Sequence, residues 1–224
     1  MGRVRVKICG ITSPEDALMA VEAGADAVGL VFAESPRQVS IGRAARIVAV
    51  LPPWVTAVGV FVNADGHDVA ETARMLGLGA IQFHGDELPC ALADLAKEHK
   101  VIKAFRVASE NDLADARDYV AQCRPSACLI DSRVAGLRGG SGRPAPWSLV
   151  AGVREEFWPL VLSGGLTPEN VAEAIGIVGP FGVESSSGVE RSPGRKDPEL
   201  VRAFVKAAAS CDVQHPRWER SDEA

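Results

Sequence analysis

The chain has 224 residues, of which 47% are apolar, and its formal net charge is −5. This composition excludes a disordered protein and leaves room for one large domain or two small ones. The modest negative charge and the lack of a long basic run argue against a nucleic-acid partner. No apolar segment approaches the roughly 18 residues of a membrane span, and the first residues lack the apolar core of a signal peptide. We therefore expect no membrane partner.

The chain alternates between short runs rich in β-branched residues and longer Ala/Leu segments with helical periodicity. Such alternation favours strand–helix units around a parallel sheet. In chain order, the predicted strands are 4–8, 27–32, 55–62, 80–83, 101–107, 127–130, 159–162 and 181–184.

A helix is predicted after each strand, with local signals at its start or end. Thr12 or Ser13 caps the first helix, and Gly24 closes it. Thr167 is expected to cap the seventh helix, with Pro168 in its first turn. The remaining helices are expected after the second strand as far as Pro52, at 69–76, around 88–95, and at 112–122, 147–155 and 198–209.

Eight strand–helix units in about 210 residues match a single (β/α)8 TIM barrel, an α/β fold. The main alternative is an open doubly wound sheet. That fold usually has fewer strands and a G-x-G-x-x-G turn after the first one, which this chain lacks. We predict one barrel domain over residues 1–210 and a polar, disordered tail over 211–224.

In such a barrel the carboxyl ends of all strands meet on one face, where active sites lie. Cys9 at a strand end has a second interpretation as a small buried apolar residue, and Arg37 as a solvated loop charge. We interpret Lys7 and Lys103 as partners of carboxylates inside the barrel rather than as catalysts. The candidate site residues on this face are Cys9, Arg37, Asn63, Gln82, His84, Arg106, Asp131, Gly164, Gly165, Glu184, Ser186 and Ser187.

Two loops of small residues follow the seventh and eighth predicted strands. They read Ser-Gly-Gly at 163–165 and Ser-Ser-Gly at 186–188, and room for a short extra helix follows. Barrels frequently hold phosphate at these two loops, where backbone N–H groups are accessible. We therefore assign phosphate binding to Gly164, Gly165, Glu184, Ser186 and Ser187. The glycine-rich loop 132–146 is long enough to be functional, and whether it closes over a substrate stays open.

Motifs along the chain, from residue 4 to about residue 206, resemble those of the phosphoribosylanthranilate isomerases. They read V-K-I-C-G-I-T-x-x-E-D-A, G-A-D-A-V-G-L-V-F, S-P-R, V-G-V-F-V-N, Q-F-H-G, I-K-A-F-R-V, G-G-S-G, S-G-G-L-T-P-E-N-V and S-S-G-V-E-R-S-P-G-R-K-D. The first and last of these are specific together. Related barrels of histidine biosynthesis open with an aspartate where this chain has Cys9.

The resemblance implies an Amadori rearrangement of N-(5′-phosphoribosyl)anthranilate to 1-(2-carboxyphenylamino)-1-deoxyribulose 5-phosphate, a step of tryptophan biosynthesis. The family's general base and general acid correspond to Cys9 and Asp131, and the arginine that binds the anthranilate carboxylate corresponds to Arg37. We also assign Gln82 and His84, in the Q-F-H-G turn, to substrate binding. No metal or organic cofactor is implied, because the substrate's own nitrogen is the electron sink.

The proposed base presents a chemical difficulty. A free thiol with a pKa near 8.5 is only a few per cent ionised at neutral pH. Lys7 or Arg37 would favour the thiolate if their side chains point inward. The acid, Asp131, must be protonated when it acts, for which a dry site or the substrate's charges would raise its pKa.

Two positions depart from the family pattern. The chain has Pro146 where the family has an aspartate, and Glu184 where the family has a shorter aspartate. We expect Glu184 to orient the phosphate loop, with some change in affinity. Two other functions stay open, a broad-specificity isomerase that also serves histidine biosynthesis and an inactive phosphosugar-binding barrel.

The implied small-molecule partner is a phosphosugar, and the chain is expected to be a monomer or a homodimer. Five cysteines are present, an odd number without a C-x-x-C pair. This usage is typical of a reduced, cytoplasmic protein. Cys123 and Cys128 have no histidines or acids at ligand spacing, so we expect no metal site.

Overall fold

The computed structural model describes residues 2–132 and 147–213, which form a closed barrel of eight parallel strands surrounded by helices. Each strand pairs with the next one in the chain, and the last pairs with the first, with Lys7 opposite Glu184. The predicted (β/α)8 barrel is thereby confirmed. The strands are β1 (Arg5–Cys9), β2 (Ala27–Val31), β3 (Thr56–Phe61), β4 (Ala80–Phe83), β5 (Val101–Arg106), β6 (Ala127–Asp131), β7 (Leu160–Ser163) and β8 (Gly182–Ser185).

A helix follows each strand on the outside of the barrel, and the first begins at Ser13, one of the two caps that the sequence predicted. The Ser13 hydroxyl accepts a hydrogen bond from the Asp16 N–H at the first helix, and Asp197 caps the last one in the same way. The helices are α1 (Pro14–Glu22), α2 (Ile41–Val48), α3 (Gly66–Leu76), α4 (Pro89–Leu95), α5 (Glu110–Cys123), α6 (Trp147–Ala151), α7 (Val171–Val178) and α8 (Pro198–Ala209).

The predicted start of the seventh helix was wrong. Thr167 does not cap it. Instead, the Asn170 side chain accepts a hydrogen bond from the Thr167 N–H at 2.8 Å, and residues 168–170 form a turn before α7 begins at Val171. An asparagine that bonds to a nearby backbone N–H stabilises such a turn in competition with a helix. The sixth helix is also shorter than predicted. It ends at Ala151, before Gly152, a residue that disfavours helix.

Three small elements complete the described chain. The segments Gly2–Arg3 and Asp212–Val213 pair with each other, so regular structure continues past residue 210. A single 3-10 turn, Ser187–Val189, occupies the position expected for the short extra helix after β8. The segments Glu190–Ser192 and Arg195–Lys196 form an antiparallel hairpin. The predicted loop 132–146 lies outside the described residues from 133 onward, as does the tail from 214 onward.

The core has an apolar outer layer between strands and helices, one charged pair inside the barrel and a second charged pair in the outer layer, where Lys103 Nζ lies 5.4 Å from the Tyr119 ring of α5. Lys7 pairs with Glu184, and Lys103 pairs with Glu87 at 2.8 Å, with all four side chains buried. Both lysines have carboxylate partners, and the pair of Lys7 lies inside the barrel as predicted. The prediction was wrong for Lys103, whose side chain points outward from β5 and pairs with Glu87 of the β4–α4 loop. Because an unpaired buried charge is costly, each pair is held by additional hydrogen bonds. The described helices include none with the length and apolarity that crossing a membrane requires.

Candidate active site

A cavity of about 250 Å³ opens at the carboxyl ends of the strands, and we call it the central cavity. Its lining comes from all eight barrel units, as expected for a barrel active site. Most of the predicted site residues meet there. The predicted residues that line it are Cys9, Arg37, His84, Arg106, Asp131, Gly164, Gly165, Glu184, Ser186 and Ser187.

Cys9 is the last residue of β1, and its buried thiol lines the central cavity. Its position depends on Gly29 in the neighbouring strand. A Cβ added at Gly29 would lie 2.6 Å from Cys9 Sγ, so only glycine leaves space for the thiol. The G-A-D-A-V-G motif thus supports Cys9 through a close contact that the sequence did not reveal.

The Lys7 side chain points into the barrel, the orientation in which it would favour the thiolate of Cys9. Its Nζ lies 3.6 Å from Cys9 Sγ, 2.6 Å from Gln82 Oε1, and in direct contact with Glu184. Burial lowers the pKa of Lys7, but Cys9 and Glu184 outweigh burial and raise it overall. Lys7 is therefore a protonated cation beside the thiol.

The cation does not suffice to ionise the thiol. Burial raises the pKa of Cys9, and the charge of Glu184 raises it further, while Lys7 and Lys196 oppose these effects only in part. Burial and Glu184 therefore favour the protonated thiol in the free protein. Arg37 gives little help, because its guanidinium is already paired with Glu190.

Asp131 ends β6 and lines the same cavity as Cys9. Its Oδ2 lies 3.6 Å from His84 Nε2, and the other ring nitrogen, Nδ1, lies 3.4 Å from Gln82 Nε2. Gln82 in turn accepts the hydrogen bond from Lys7. A continuous set of polar contacts thus connects the surroundings of Cys9 to Asp131 across the barrel.

Gln82 is fully buried and is not among the residues that line the central cavity. It lies below the cavity, where it contacts Lys7 and His84. The structure therefore places the predicted substrate contact of Gln82 behind the side chains that face the cavity. His84 does line the cavity, in agreement with a position next to a bound molecule.

The two loops of small residues lie side by side at one end of the cavity. Gly164 and Gly165 have φ angles of 99° and 76°, which favour glycine over any residue with a side chain. The Ser185 hydroxyl donates a hydrogen bond to the Leu166 carbonyl at 2.7 Å and so ties the loops together. The two loops form a cradle of small residues at this end of the cavity.

Glu184 contributes no positive charge or N–H donor to that cradle. Its carboxylate binds Lys7 and accepts a hydrogen bond from the Ser163 hydroxyl at 3.2 Å. A buried carboxylate repels a phosphate, so its contribution to a phosphate site would be through the strand end that it anchors.

The family model described as N-(5′-phosphoribosyl)anthranilate isomerase matches residues 6–207. This chain belongs to that family. The N-(5′-phosphoribosyl)anthranilate isomerase of Trichlorobacter lovleyi is 50% identical over 206 residues, which cover 92% of this chain and 98% of that protein. The corresponding protein of Thermotoga neapolitana shows the same identity and the same coverage. The resemblance seen in the motifs and the predicted isomerase class are confirmed.

Solved structures of the family have the same fold. The phosphoribosyl anthranilate isomerase of Thermotoga maritima superposes with a TM-score of 0.86 at 46% identity, over 93% of this chain and 100% of that chain. A second isomerase structure holds reduced 1-(o-carboxyphenylamino)-1-deoxyribulose 5-phosphate and has a TM-score of 0.83 at 44% identity, with the same coverage.

Two charged residues that connect to Arg37 were not among those predicted from the sequence. Glu190 binds Arg37 through both carboxylate oxygens, and Lys196 binds Glu190. Both residues belong to the S-S-G-V-E-x-x-P-G-x-K-D motif, which was the available signal. Ser163 was missed as a partner of Glu184, although it stands at a strand end as the selected residues do.

We expect Glu184→Gln to shift the pH dependence of kcat/KM to lower pH. If Cys9 is the base, as the family resemblance implies, it acts when deprotonated and activity rises with pH as the thiol ionises. Because the charge of Glu184 raises the pKa of Cys9, its removal lowers that pKa and moves the rising limb toward acid. The pH profile of kcat/KM between weakly acidic and alkaline buffers measures the shift.

Two controls accompany this variant. Glu184→Asp keeps the negative charge and introduces the family's usual residue. The rising limb of its pH profile should therefore stay near that of the unmodified protein. Thermal unfolding shows how much stability the loss of the Lys7 partner costs, which we expect to be about 3 kcal/mol. A limb that stays in place or moves to higher pH in Glu184→Gln would contradict the electrostatic assignment.

Proposed function

We propose that this protein converts N-(5′-phosphoribosyl)anthranilate to 1-(2-carboxyphenylamino)-1-deoxyribulose 5-phosphate in tryptophan biosynthesis. The observation that carries the proposal is that Cys9 and Asp131 line one cavity, together with an arginine and two small-residue loops. An acid, a base and two anion-binding regions are what this substrate and this reaction require.

The acid acts first in the proposed mechanism. Asp131, in its protonated form, donates a proton to the ribose ring oxygen while the C1′–O bond breaks. The bond electrons stay on that oxygen, which becomes the 4′-hydroxyl, and the nitrogen lone pair forms a protonated Schiff base with C1′. The positive iminium then makes the C2′ proton acidic.

Cys9 completes the isomerisation as a base. Its thiolate removes the C2′ proton, and the C–H electrons neutralise the iminium to give an enolamine. The enol loses its hydroxyl proton as C1′ gains one, which leaves the ketone at C2′. Substrate binding would help this step, because the iminium places a positive charge beside a thiol whose pKa is raised in the free protein.

The two anionic ends of the substrate match the two ends of the cavity. Arg37 faces the cavity from the β2–α2 loop and offers a guanidinium to the anthranilate carboxylate. At the other end, Gly164, Gly165, Ser186 and Ser187 would bind the phosphate, largely through backbone N–H groups. The reacting carbon atoms would then lie between Cys9 and Asp131.

An assay with freshly prepared N-(5′-phosphoribosyl)anthranilate tests the proposed function. We expect the anthranilate-type fluorescence of the substrate to disappear when enzyme is added. Binding without turnover would indicate an inactive phosphosugar-binding barrel instead. Turnover of the histidine-pathway aminoaldose in the same preparation would indicate the broad-specificity isomerase.

We propose a homodimer formed through the barrel's amino-terminal end. One solved structure, 42% identical to this chain, is described as generated monomers of the dimeric isomerase of Thermotoga maritima, so that relative is dimeric in its original form. Trp54 lies in the loop before β3 and is 94% exposed, an unusual state for a tryptophan in a protein without a partner. Aromatic side chains are common anchors of such interfaces.

Trp54→Glu is expected to convert the dimer to a monomer. Sedimentation or light scattering at micromolar concentration measures the mass, and activity should persist because the cavity lies at the opposite end of the barrel. Leu18→Glu, a change at a partly exposed apolar residue of α1, is the matched control and should stay dimeric. A monomeric unmodified protein would contradict the proposal.

We propose a cytoplasmic location, as expected for a biosynthetic enzyme with reduced thiols. All five cysteines are free in the structure, which supports a reducing compartment. Fractionation of cells would test the location, and enzyme recovered outside the cytoplasmic fraction would contradict it.

A further inference from the structure

Arg37 does not face the central cavity as an independent cation. Its Nε donates to Glu190 Oε1 at 2.8 Å, and its Nη2 donates to Glu190 Oε2 at 2.7 Å. This bidentate pairing fixes the plane of the guanidinium. Among the described residues, the remaining terminal nitrogen, Nη1, donates to no acceptor. Glu190 therefore holds one edge of Arg37 and leaves another edge for a ligand.

Glu190 is in turn held by a buried lysine. Lys196 Nζ donates to Glu190 Oε1 at 2.9 Å and to the Ser186 carbonyl at 3.0 Å. Burial raises the pKa of Glu190, but the hydrogen bonds from Arg37 and Lys196 outweigh burial and lower it overall. The Glu190 carboxylate is thus an anion shared by Arg37 and Lys196, and Lys196 also contacts the loop at Ser186.

The hairpin that carries Glu190 and Lys196 is fixed to the barrel at several points. Within the hairpin, the Gly194 N–H donates to Glu190 at 3.3 Å, and from the β1–α1 loop of the barrel the Thr12 hydroxyl donates to the Gly194 carbonyl at 2.6 Å. The Lys196 N–H donates to Asp16 Oδ2 at 3.2 Å. A rigid support of this kind lowers the entropy that Arg37 would lose on binding a ligand.

We propose that Glu190 and Lys196 are positioning residues that fix Arg37 relative to the Ser186 loop and so set the spacing between the carboxylate and phosphate sites. This inference rests on the proposed function, in which those two sites bind the two ends of one substrate. Neither residue touches the reacting atoms. The effect of Glu190 should depend on the ligand's carboxylate, because Glu190 contacts Arg37 directly. Lys196, in contrast, joins Glu190 to the Ser186 loop and should affect every ligand that binds there.

Two ligands isolate that effect. Amadori condensation of ribose 5-phosphate with anthranilate gives the reaction product, and condensation with aniline gives the same phosphosugar without the carboxylate. The discrimination between them, the ratio of their two dissociation constants measured by calorimetry, reports the Arg37 contact. Both ligands carry the phosphate, so changes at the phosphate loop cancel in this ratio.

The main variant is Glu190→Gln combined with Lys196→Met. Removing both charges leaves the net charge of the cluster unchanged and avoids an unpaired buried lysine. We expect the discrimination to fall about tenfold, because Arg37 loses its support and must be ordered by the ligand. In steady-state assays KM for the substrate should rise more than kcat falls.

Lys196→Met alone is the matched control. It keeps the bidentate bond between Glu190 and Arg37, so the discrimination should stay close to that of the unmodified protein, while both ligands bind more weakly. Circular dichroism and thermal unfolding establish that each variant is folded.

The outcomes separate the inference from the function on which it rests. If the unmodified protein does not discriminate between the ligands, the proposed role of Arg37 fails. If it discriminates and the double variant discriminates equally well, the positioning role of Glu190 is overturned. Equal losses in the double variant and in Lys196→Met would also overturn it, since Glu190 would then add nothing.

Discussion

Cys9→Ala is expected to lower kcat by at least about 100-fold while product binding changes little. The reason is that general bases contribute roughly 10²–10⁴-fold, and this thiol is the group proposed to remove the C2′ proton. Alanine keeps the small apolar volume beside Gly29, so the barrel should stay folded. The fluorescence assay gives kcat, and calorimetry with the product gives the dissociation constant.

Cys128→Ala is the matched control for this experiment. Cys128 is also a buried thiol on a barrel strand, but it packs in the apolar core and is not among the cavity-lining residues. Burial raises its pKa to about 12. We expect activity within about twofold of the unmodified protein, with a stability loss of about 1 kcal/mol. Near-normal turnover by Cys9→Ala would overturn the assignment of the base.

The sequence predicted the barrel well because its strands are buried on both faces. Such strands are continuous apolar runs, and each predicted strand agrees with the observed one to within one residue at each end. Several observed strands extend beyond the predicted run into a polar residue, as at Cys9, Asp131, Ser163 and Ser185. The pairing between strands continues at these residues although the apolar run has ended, because the candidate active site occupies the strand ends.

The sequence could not predict how deep a side chain lies along the barrel axis. Gln82 lies near the carboxyl end of β4, just as other selected residues lie near the ends of their own strands, yet it is buried below the cavity. The depth depends on the stagger between strands, which pairs Lys7 with Glu184 in register. That stagger follows from closure of all eight strands and is not encoded in any one segment.

Contacts between distant segments were also beyond the sequence analysis. Arg37 and Glu190 are 153 residues apart, and their pairing requires a hairpin after β8 to fold back over the β2–α2 loop. Each residue taken alone is compatible with a solvated loop charge. The charge state of Cys9 is a similar case, since it results from Lys7, Glu184 and burial together.

Asp131→Asn is expected to lower kcat by at least about 100-fold, because the amide keeps the shape of the carboxyl group but carries no proton to donate to the ring oxygen. Product binding should stay within a few-fold, since the product is already ring-opened. Asp86→Asn is the control. Asp86 is an exposed aspartate in the β4–α4 loop, outside the central cavity, and its variant should keep normal turnover.

Substrate deuterated at C2′ separates the two proposed roles. In Cys9→Ala the removal of the C2′ proton becomes the slow step, so a large isotope effect on kcat should appear. In Asp131→Asn ring opening becomes slow, and since no bond to C2′ hydrogen breaks in that step, the isotope effect should approach unity. A large effect in Asp131→Asn together with none in Cys9→Ala would exchange the acid and the base. That pattern would place proton removal on the β6 side of the cavity and ring opening on the β1 side.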